Sequence, residues 1–337
     1  MVLPKSITFE LTHRCNCRCE MCRFWVEGSR LELEEMNLDQ ILGIISDIDN
    51  EYKKDGLRPF FGLTGGEPFL KKELLDIVKF FHDKGIKYDM VSNFSVPNKQ
   101  YLEKLSIYAP ERINVSIDGM GLTHNLVRGL DIFDKIIENI KYFKKISPQT
   151  SIKINTTITQ RNIRELERIA KLAIELGVKL NFQHLNFVTP ELLKKQYDLE
   201  MRKLKKKTVH EATFYTLGGK EVDELFREVD KINKLISNGY DITFLPALHN
   251  NLSTWYLKPE MVITNSKCDS NRLRIKPDGR LVHCENFVYG DLTNESLNKI
   301  LNSAEVKQIQ ELITGTCMPF CHRCCLRFKN YKDDKCF

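Results

Sequence analysis

The run Ile7-Thr-Phe-Glu-Leu-Thr12, followed almost at once by Cys15-Asn-Cys-Arg-Cys19-Glu-Met-Cys22, decides how the rest of the chain is read. The first part is an apolar run of strand character. In the second, Cys15, Cys19 and Cys22 stand at spacings of four and three and can converge on one small object. A thiolate is a soft ligand that suits iron–sulfur or zinc. Four thiolates would close a structural site, whereas three leave one metal corner open for chemistry. Cys17 falls inside the first spacer and reads as a spare thiol pointing away.

Outward from this loop, apolar runs alternate with helical patterns, which argues for β-α units and a parallel sheet. Strands are expected at Ile7–Thr12, Pro59–Thr64, Lys87–Ser92, Arg112–Asp118, Ser151–Ile158 and Lys179–Leu185. Helices are expected at Leu38–Lys54 after the N-cap Asn37, at Lys72–Lys84, Lys99–Tyr108 and Ile132–Lys145, and at Ile163–Leu176. Gly56, Gly85 and Gly177 follow three of them as stop signals. Six repeats fall short of the eight that close a barrel.

Polar motifs sit at the expected strand ends, where such folds build sites. Gly65-Gly66-Glu67-Pro68 follows the second strand, and paired glycines let backbone approach a ligand. Ser92-Asn93 closes the third strand. Ser116-Ile-Asp118-Gly119 closes the fourth, with Ser116 and Asp118 on one face. His124-Asn-Leu-Val-Arg128-Gly129 follows. Asn155, Thr157, Gln183 and His184 are candidates to line the interior. Only one of Gln183 and His184 can point inward, and a lone histidine here reads as structural.

The Cys-x3-Cys-x2-Cys loop after a first strand, with Gly65–Pro68 and Ser116–Gly119 in place, resembles the radical S-adenosylmethionine (radical SAM) family. The resemblance implies an α/β fold, an open (β/α)6 partial TIM barrel. It implies a [4Fe–4S] cluster held by Cys15, Cys19 and Cys22 and chelated by S-adenosylmethionine at its fourth iron. Reductive cleavage of that cofactor releases a 5′-deoxyadenosyl radical, chemistry that belongs to the cofactor. The cofactor-binding residues carried over are Met21, Gly65, Gly66, Glu67, Ser92, Asn93, Ser116, Asp118 and Arg128. Glu67 would accept from the cofactor's ammonium. Ser92 or Asn93 would meet the ribose or methionyl end, or serve as a plain polar strand end. Arg128 would fork onto the methionyl carboxylate or brace its loop. The family often carries Thr-Asn-Gly where this chain has Ser92-Asn93-Phe94, which questions any close approach at Phe94.

Beyond Pro190 the pattern turns helical and charged, with amphipathic helices at Leu192–Lys207 and Glu221–Ser237 and a short exit strand at Asp241–Leu245. Trp255-Tyr256 is either a substrate-facing pair or core filling. A second cysteine group follows: Cys268, Cys284, Cys317, Cys321, Cys324, Cys325 and Cys336. Pro277-Asp278-Gly279 marks a hairpin between the first two. The Cys-x10-Gly-x4-Cys opening resembles the twitch and SPASM extensions of radical SAM enzymes, which carry auxiliary [4Fe–4S] clusters. It implies at least one such cluster, on Cys268, Cys284, Cys321 and Cys324. The Cys-x5-Cys spacing of a full SPASM module is missing, and a zinc ribbon is the alternative. The expected domains are the partial barrel at 1–190, a helical bridge at 191–245 and a small cysteine-rich α+β module at 246–337.

The remaining features bound the function. Eleven cysteines in two clusters look like metal binding rather than a disulfide framework. No signal peptide and no membrane-length apolar run are present, so a cytoplasmic location is expected. Net charge is +6, and Lys203–Lys207 reads as a solvated helix face rather than a nucleic-acid stripe. Expected partners are an electron donor such as flavodoxin or ferredoxin and a small-molecule or peptide substrate. The chain begins on its first strand with no room for a leader-peptide reader, which favours oxidation or crosslinking of a small molecule or cofactor precursor. A peptide or protein maturase is the alternative. A non-catalytic metal-binding adaptor is the reading from another class.

Overall fold

The computed structural model describes residues 3–4, 6–22, 34–185, 187–205, 216–248, 251–258, 261, 272–284, 287–315 and 318–323. Cys268, Cys317, Cys324, Cys325 and Cys336 lie outside the described residues. The repeats run β1 (Ser6–Glu10), α1 (Leu38–Lys54), β2 (Phe60–Thr64), α2 (Leu74–Lys84), β3 (Lys87–Ser92), α3 (Lys99–Ile107) and β4 (Arg112–Ser116). They continue through α4 (Leu122–Arg128), α5 (Phe133–Ile146), β5 (Ser151–Thr157), α6 (Leu166–Leu176) and β6 (Lys179–Gln183). Then come α7 (Pro190–Leu204), α8 (Gly219–Ser237), β7 (Ile242–Leu245) and α9 (Leu252–Leu257). The chain closes with β8 (Arg272–Ile275), β9 (Arg280–His283), β10 (Phe287–Asp291), α10 (Leu297–Asn302) and α11 (Ala304–Gly315).

The local signals explain the helix ends. Asn37 accepts from Gln40 N at 2.9 Å while its own N–H donates to Gln40 Oε1 at 3.0 Å, a closed capping box that starts α1. Gly85 and Gly177 end α2 and α6 in the left-handed region.

Among the described residues, ten strands form one open sheet in the order β10-β9-β8-β1-β2-β3-β4-β5-β6-β7. Strands β1 to β6 are parallel, as the repeat pattern implies. Two features extend it. The expected exit strand is a seventh parallel strand: β7 pairs with β6, with Leu180 level with Ile242. The reason is α8, which packs back on α6 and delivers the chain to the free edge. At the other edge β8 pairs in parallel with β1, Thr8 level with Arg274, and β9 and β10 follow antiparallel. The cysteine-bearing hairpin is thus continuous with the barrel sheet.

The two faces of the sheet differ. Ile7, Phe9, Phe61, Leu63, Ile113 and Ile154 are fully buried against the helices, and Phe61 stacks on Phe81 of α2 at 5.1 Å between ring centroids. The intervening residues Thr8, Gly62, Thr64, Ser116, Asn155 and Thr157 are polar or small and partly exposed. Closed barrels fill their interior with branched apolar layers. Here the concave face is polar.

Candidate active site

The Cys15–Cys22 loop leaves the carboxyl end of β1 and is held by its neighbours. Arg18 N donates to Arg128 O at 2.8 Å and Glu20 N to Val127 O at 3.0 Å, so the end of α4 clamps the loop. Gly129, at φ +67°, allows this contact, since a Cβ there would lie 2.9 Å from Arg18 O. The lead-in is fixed by Glu35, which accepts from Thr12 Oγ1 at 2.6 Å and from His13 N at 2.9 Å.

Gly65 and Gly66 pass directly over that lead-in. Gly66 N donates to Thr12 O and Glu67 N to Arg14 O, both at 2.8 Å. A Cβ on Gly66 would stand 2.3 Å from Arg14 O, and one on Gly65 would stand 2.5 Å from Thr12 O. The close approach that these glycines permit is to the cysteine loop's own backbone.

Glu67 is buried and turned onto the end of β3. Its Oε1 accepts from Ser92 Oγ at 2.7 Å and Phe69 N at 3.2 Å, and its Oε2 accepts from Asn93 N at 2.8 Å. Burial pushes its carboxyl up to about 7 against these hydrogen bonds. Asn93 then ties β3 to the cysteine loop: its Nδ2 donates to Asn16 Oδ1 at 2.8 Å and lies 3.4 Å from Cys17 Sγ. Phe94 takes φ 58°, the conformation a glycine would favour, and buries its ring at 5.8 Å from Phe69 and 6.0 Å from Phe143.

Cys17 does not point away. It is fully buried and hydrogen-bonded to both Cys15 and Cys19, which raises its own pKa. Those bonds hold the Cys15 thiol below its usual range and bring Cys19 down to about 6, with Arg128 adding to the effect at Cys19. Asn93, packed on Cys17 from the end of β3, holds the intervening thiol inside. Among the described residues the structure does not gather Cys15, Cys19 and Cys22 into a metal-binding set of three. It places Cys15 and Cys19 around Cys17, with Cys22 half-buried one turn on, its N–H donating to Cys19 O at 3.0 Å. Met21 is half-buried against the core.

Asp118 and Arg128 form a buried ion pair beside Cys19. Arg128 Nη1 donates to Cys19 Sγ at 3.5 Å, and Asp118 Oδ1 accepts from Thr157 N at 2.7 Å. Burial raises the Asp118 carboxyl against the pull of Arg128. His124 Nδ1 accepts from Asp118 N at 3.1 Å, and burial holds this imidazole near 3, neutral. Ser116 lies on the inner face, level with Asn155. Gln183 also turns inward, while His184 is buried on the outer side with Nδ1 2.9 Å from Tyr256 Oη. Trp255 and Tyr256 are core residues.

Of the second cysteine group, Cys284 follows β9 at φ 51° and is exposed. Cys321 is half-buried in the helical turn Pro319–Arg323, which packs on α7.

The donor set fits a metal–sulfonium cofactor. Two thiols are lowered toward thiolate, and Glu67 is a buried acidic side chain beside them. The sequence reading missed Asn16, Glu35 and the Arg128–Asp118 pair. The last had a signal, a single arginine ten residues beyond a strand-end aspartate in a glycine-bounded helix.

A family model described as the Radical SAM superfamily matches residues 9–173. A second, SPASM, described as an iron-sulfur cluster-binding domain, matches residues 268–325. The AdoMet-dependent heme synthase of Methanosarcina barkeri is 30% identical over 189 residues, 56% of this chain and 51% of that protein. The match therefore spans about half of that relative's length. The probable GTP 3′,8-cyclase of Sulfurisphaera tokodaii is 29% identical over 293 residues, 83% of this chain and 80% of that one. Among solved structures, anSMEcpe with bound AdoMet aligns with a TM-score of 0.67 at 18% identity, covering 99% of this chain and 89% of that one. Streptococcus suis SuiB bound to precursor peptide SuiA aligns with a TM-score of 0.64 at 15% identity, covering 96% and 71%. These two likenesses are of fold. The cofactors that go with the two families are S-adenosylmethionine, a [4Fe–4S] cluster and auxiliary iron–sulfur clusters. The chain belongs to the radical SAM superfamily and carries a SPASM iron–sulfur region at its C-terminal end.

Proposed function

We propose that this chain uses S-adenosylmethionine to remove a hydrogen atom from a small molecule or cofactor precursor, and that an auxiliary cluster takes up an electron so that the product is oxidised or crosslinked. When bound, the cluster and S-adenosylmethionine supply the 5′-deoxyadenosyl radical. The residues of this chain do the rest. Cys15, Cys19 and Cys22 hold the cluster. Glu67 takes the ammonium, and Gly65 and Gly66 keep the loop beneath it close. Met21, Ser92, Asn93, Ser116 and Asp118 shape the pocket, and Arg128 neutralises charge beside Cys19. Cys268, Cys284, Cys321 and Cys324 hold the auxiliary cluster. An external one-electron donor of the flavodoxin or ferredoxin kind, in a reducing cytoplasm, completes the system.

The observation that carries this reading is the position of Glu67, a buried carboxylate at the carboxyl end of the sheet beside the cysteine loop. The names of the relatives, a heme synthase and a GTP cyclase, support a small-molecule substrate over a peptide.

The test is anaerobic reconstitution with iron and sulfide, then dithionite and S-adenosylmethionine. About eight irons per chain with 5′-deoxyadenosine formed is the expected result. About twelve would assign two auxiliary clusters and bring in Cys317, Cys325 and Cys336. Zinc with no cleavage would overturn the reading.

A further inference from the structure

The side chains on the concave face change in kind from one level to the next. Ser116, at the end of β4, is level with Asn155 of β5, Asn155 with Asn181 of β6, and Asn181 with Thr243 of β7. One step toward the carboxyl rim, Thr157 is level with Gln183. None of these side chains ionises. The level beneath is charged, with Lys153 beside Lys179, and the rim above holds the Asp118–Arg128 pair. A neutral band of amides and hydroxyls therefore lies between two charged levels, and it starts at Ser116, beside the cofactor pocket.

Most of this band's hydrogen-bonding capacity is unspent. Among the described residues the side chains of Ser116, Asn155, Thr157 and Gln183 have no hydrogen-bond partner in the protein, and all are half-buried. Asn181 is used on one side: Thr243 Oγ1 donates to its Oδ1 at 3.0 Å, which orients that amide and leaves its NH2 group without a protein acceptor. The polar residues that the same strands turn toward the helices are spent by contrast. Thr156 Oγ1 donates to Ile117 O at 2.6 Å, and His184 Nδ1 lies 2.9 Å from Tyr256 Oη. Half-buried groups without protein partners leave their pairing to whatever fills the concavity. A guest that displaced their water without replacing its hydrogen bonds would bind poorly.

We infer that this band binds the neutral N–H and C=O edge of a cyclic amide in the substrate, the edge that a nucleobase or a lactam presents, with Asn155, Asn181 and Gln183 as its partners. The inference rests on the reading above for what then happens to the bound molecule. A side-chain amide carries an acceptor oxygen and an NH2 donor side by side in one plane. It therefore pairs reciprocally with a planar ring edge of the same kind, as asparagine and glutamine do with base edges. An anion would face the amide oxygens, and an apolar ring would leave the amides unpaired. Because the band starts at Ser116, the ring lies against the cofactor pocket, and the hydroxyls of Ser116 and Thr157 complete its hydrogen bonds in either role.

The test uses the reconstituted protein with S-adenosylmethionine bound, titrated with uridine and with inosine and followed by saturation-transfer NMR. Each is set beside its ring-methylated form, 3-methyluridine or 1-methylinosine, in which the N–H of the edge is blocked. Binding of at least one nucleoside, about tenfold or more weaker for its methylated form and in Asn155→Leu, is the expected result. The binding should not change with salt, since no charge is paired, and the exposed variant Lys104→Gln should leave it intact. Where Asn155→Leu does not fold, Gln183→Leu is read in its place. Binding of neither nucleoside, equal binding of the methylated forms, or equal binding by the variants would overturn the proposal. So would equal binding of free ribose, which would assign a sugar, or preference for N-acetylalanine methylamide, which would assign a peptide. The affinity for S-adenosylmethionine is measured in the same variants, and its loss there would give the band to the cofactor instead. Formation of 5′-deoxyadenosine by the wild-type protein without any probe judges the radical reading separately, so the two can fail independently.

Discussion

Arg128 reaches Cys19 and Asp118 at once: its Nη1 lies 3.5 Å from Cys19 Sγ, and its Nη2 is paired with the fully buried Asp118 carboxylate. The guanidinium therefore holds a would-be metal ligand and a strand end in one geometry. Removing it strands a buried charge. Arg128→Met should destabilise the fold by about 3–5 kcal/mol. The double variant Arg128→Met/Asp118→Asn should recover part of that loss, because the second change removes the uncompensated carboxylate. Thermal melts of Arg128→Met, Asp118→Asn and the double variant check this, and additive losses would show that the pair is not coupled.

Glu67 makes stability depend on pH. Its pKa is about 7 in the fold against an ordinary 4.5. The raised value means its contribution is fully present below pH 4.5 and is lost as pH rises through 7, about 3 kcal/mol in all. The protein without cofactor should therefore lose melting temperature across that window more steeply than Glu67→Gln. S-adenosylmethionine should flatten the slope by placing an ammonium against the carboxylate. Parallel slopes for the two proteins would remove Glu67 from this role.

Gly66 is a steric requirement. With a Cβ there only 2.3 Å from Arg14 O, Gly66→Ala must push the cysteine loop off the sheet. Iron incorporation should fall to a small fraction of the wild type. Gly43→Ala, in α1 with nothing within 4 Å of the added carbon, should be neutral or slightly stabilising. Iron content measured for both separates a local clash from a general intolerance of alanine.

Cys17 is a donor to its neighbours. Cys17→Ser keeps a donor hydroxyl at the same place and should leave the first cluster's iron content unchanged, while Cys17→Ala removes the donor and should lower the reactivity of Cys15 and Cys19 in the iron-free protein at neutral pH. Alkylation rates against pH report this. Loss of the first cluster in Cys17→Ser would make Cys17 a ligand.

The legible part of this protein was the part written locally. Helix caps such as Asn37 and Gly177, the amphipathic helices and the strand-end motifs depend on residues a few positions apart. What escaped depends on partners far along the chain. Nothing near Ile242–Leu245 says that it pairs with β6, and nothing near Arg272–Ile275 says that it pairs with β1. The alternation of Arg274 and Lys276 opposite Glu10 becomes meaningful only once that register is known. Within the site, the Gly65–Gly66 motif was readable, but its contact with Thr12 and Arg14 was not, because that contact is between backbones. Phe94 shows a departure from a family pattern that keeps the backbone conformation and offsets its strain by burying a ring.

The most direct test is 5′-deoxyadenosine formation by the reconstituted wild type beside Cys19→Ala and Cys17→Ala, under dithionite with S-adenosylmethionine. The wild type and Cys17→Ala should both cleave the cofactor, and Cys19→Ala should be silent while melting as a folded protein. Cleavage by Cys19→Ala, or none by the wild type once its iron is loaded, would contradict the assignment of the Cys15–Cys22 loop as the radical-generating centre.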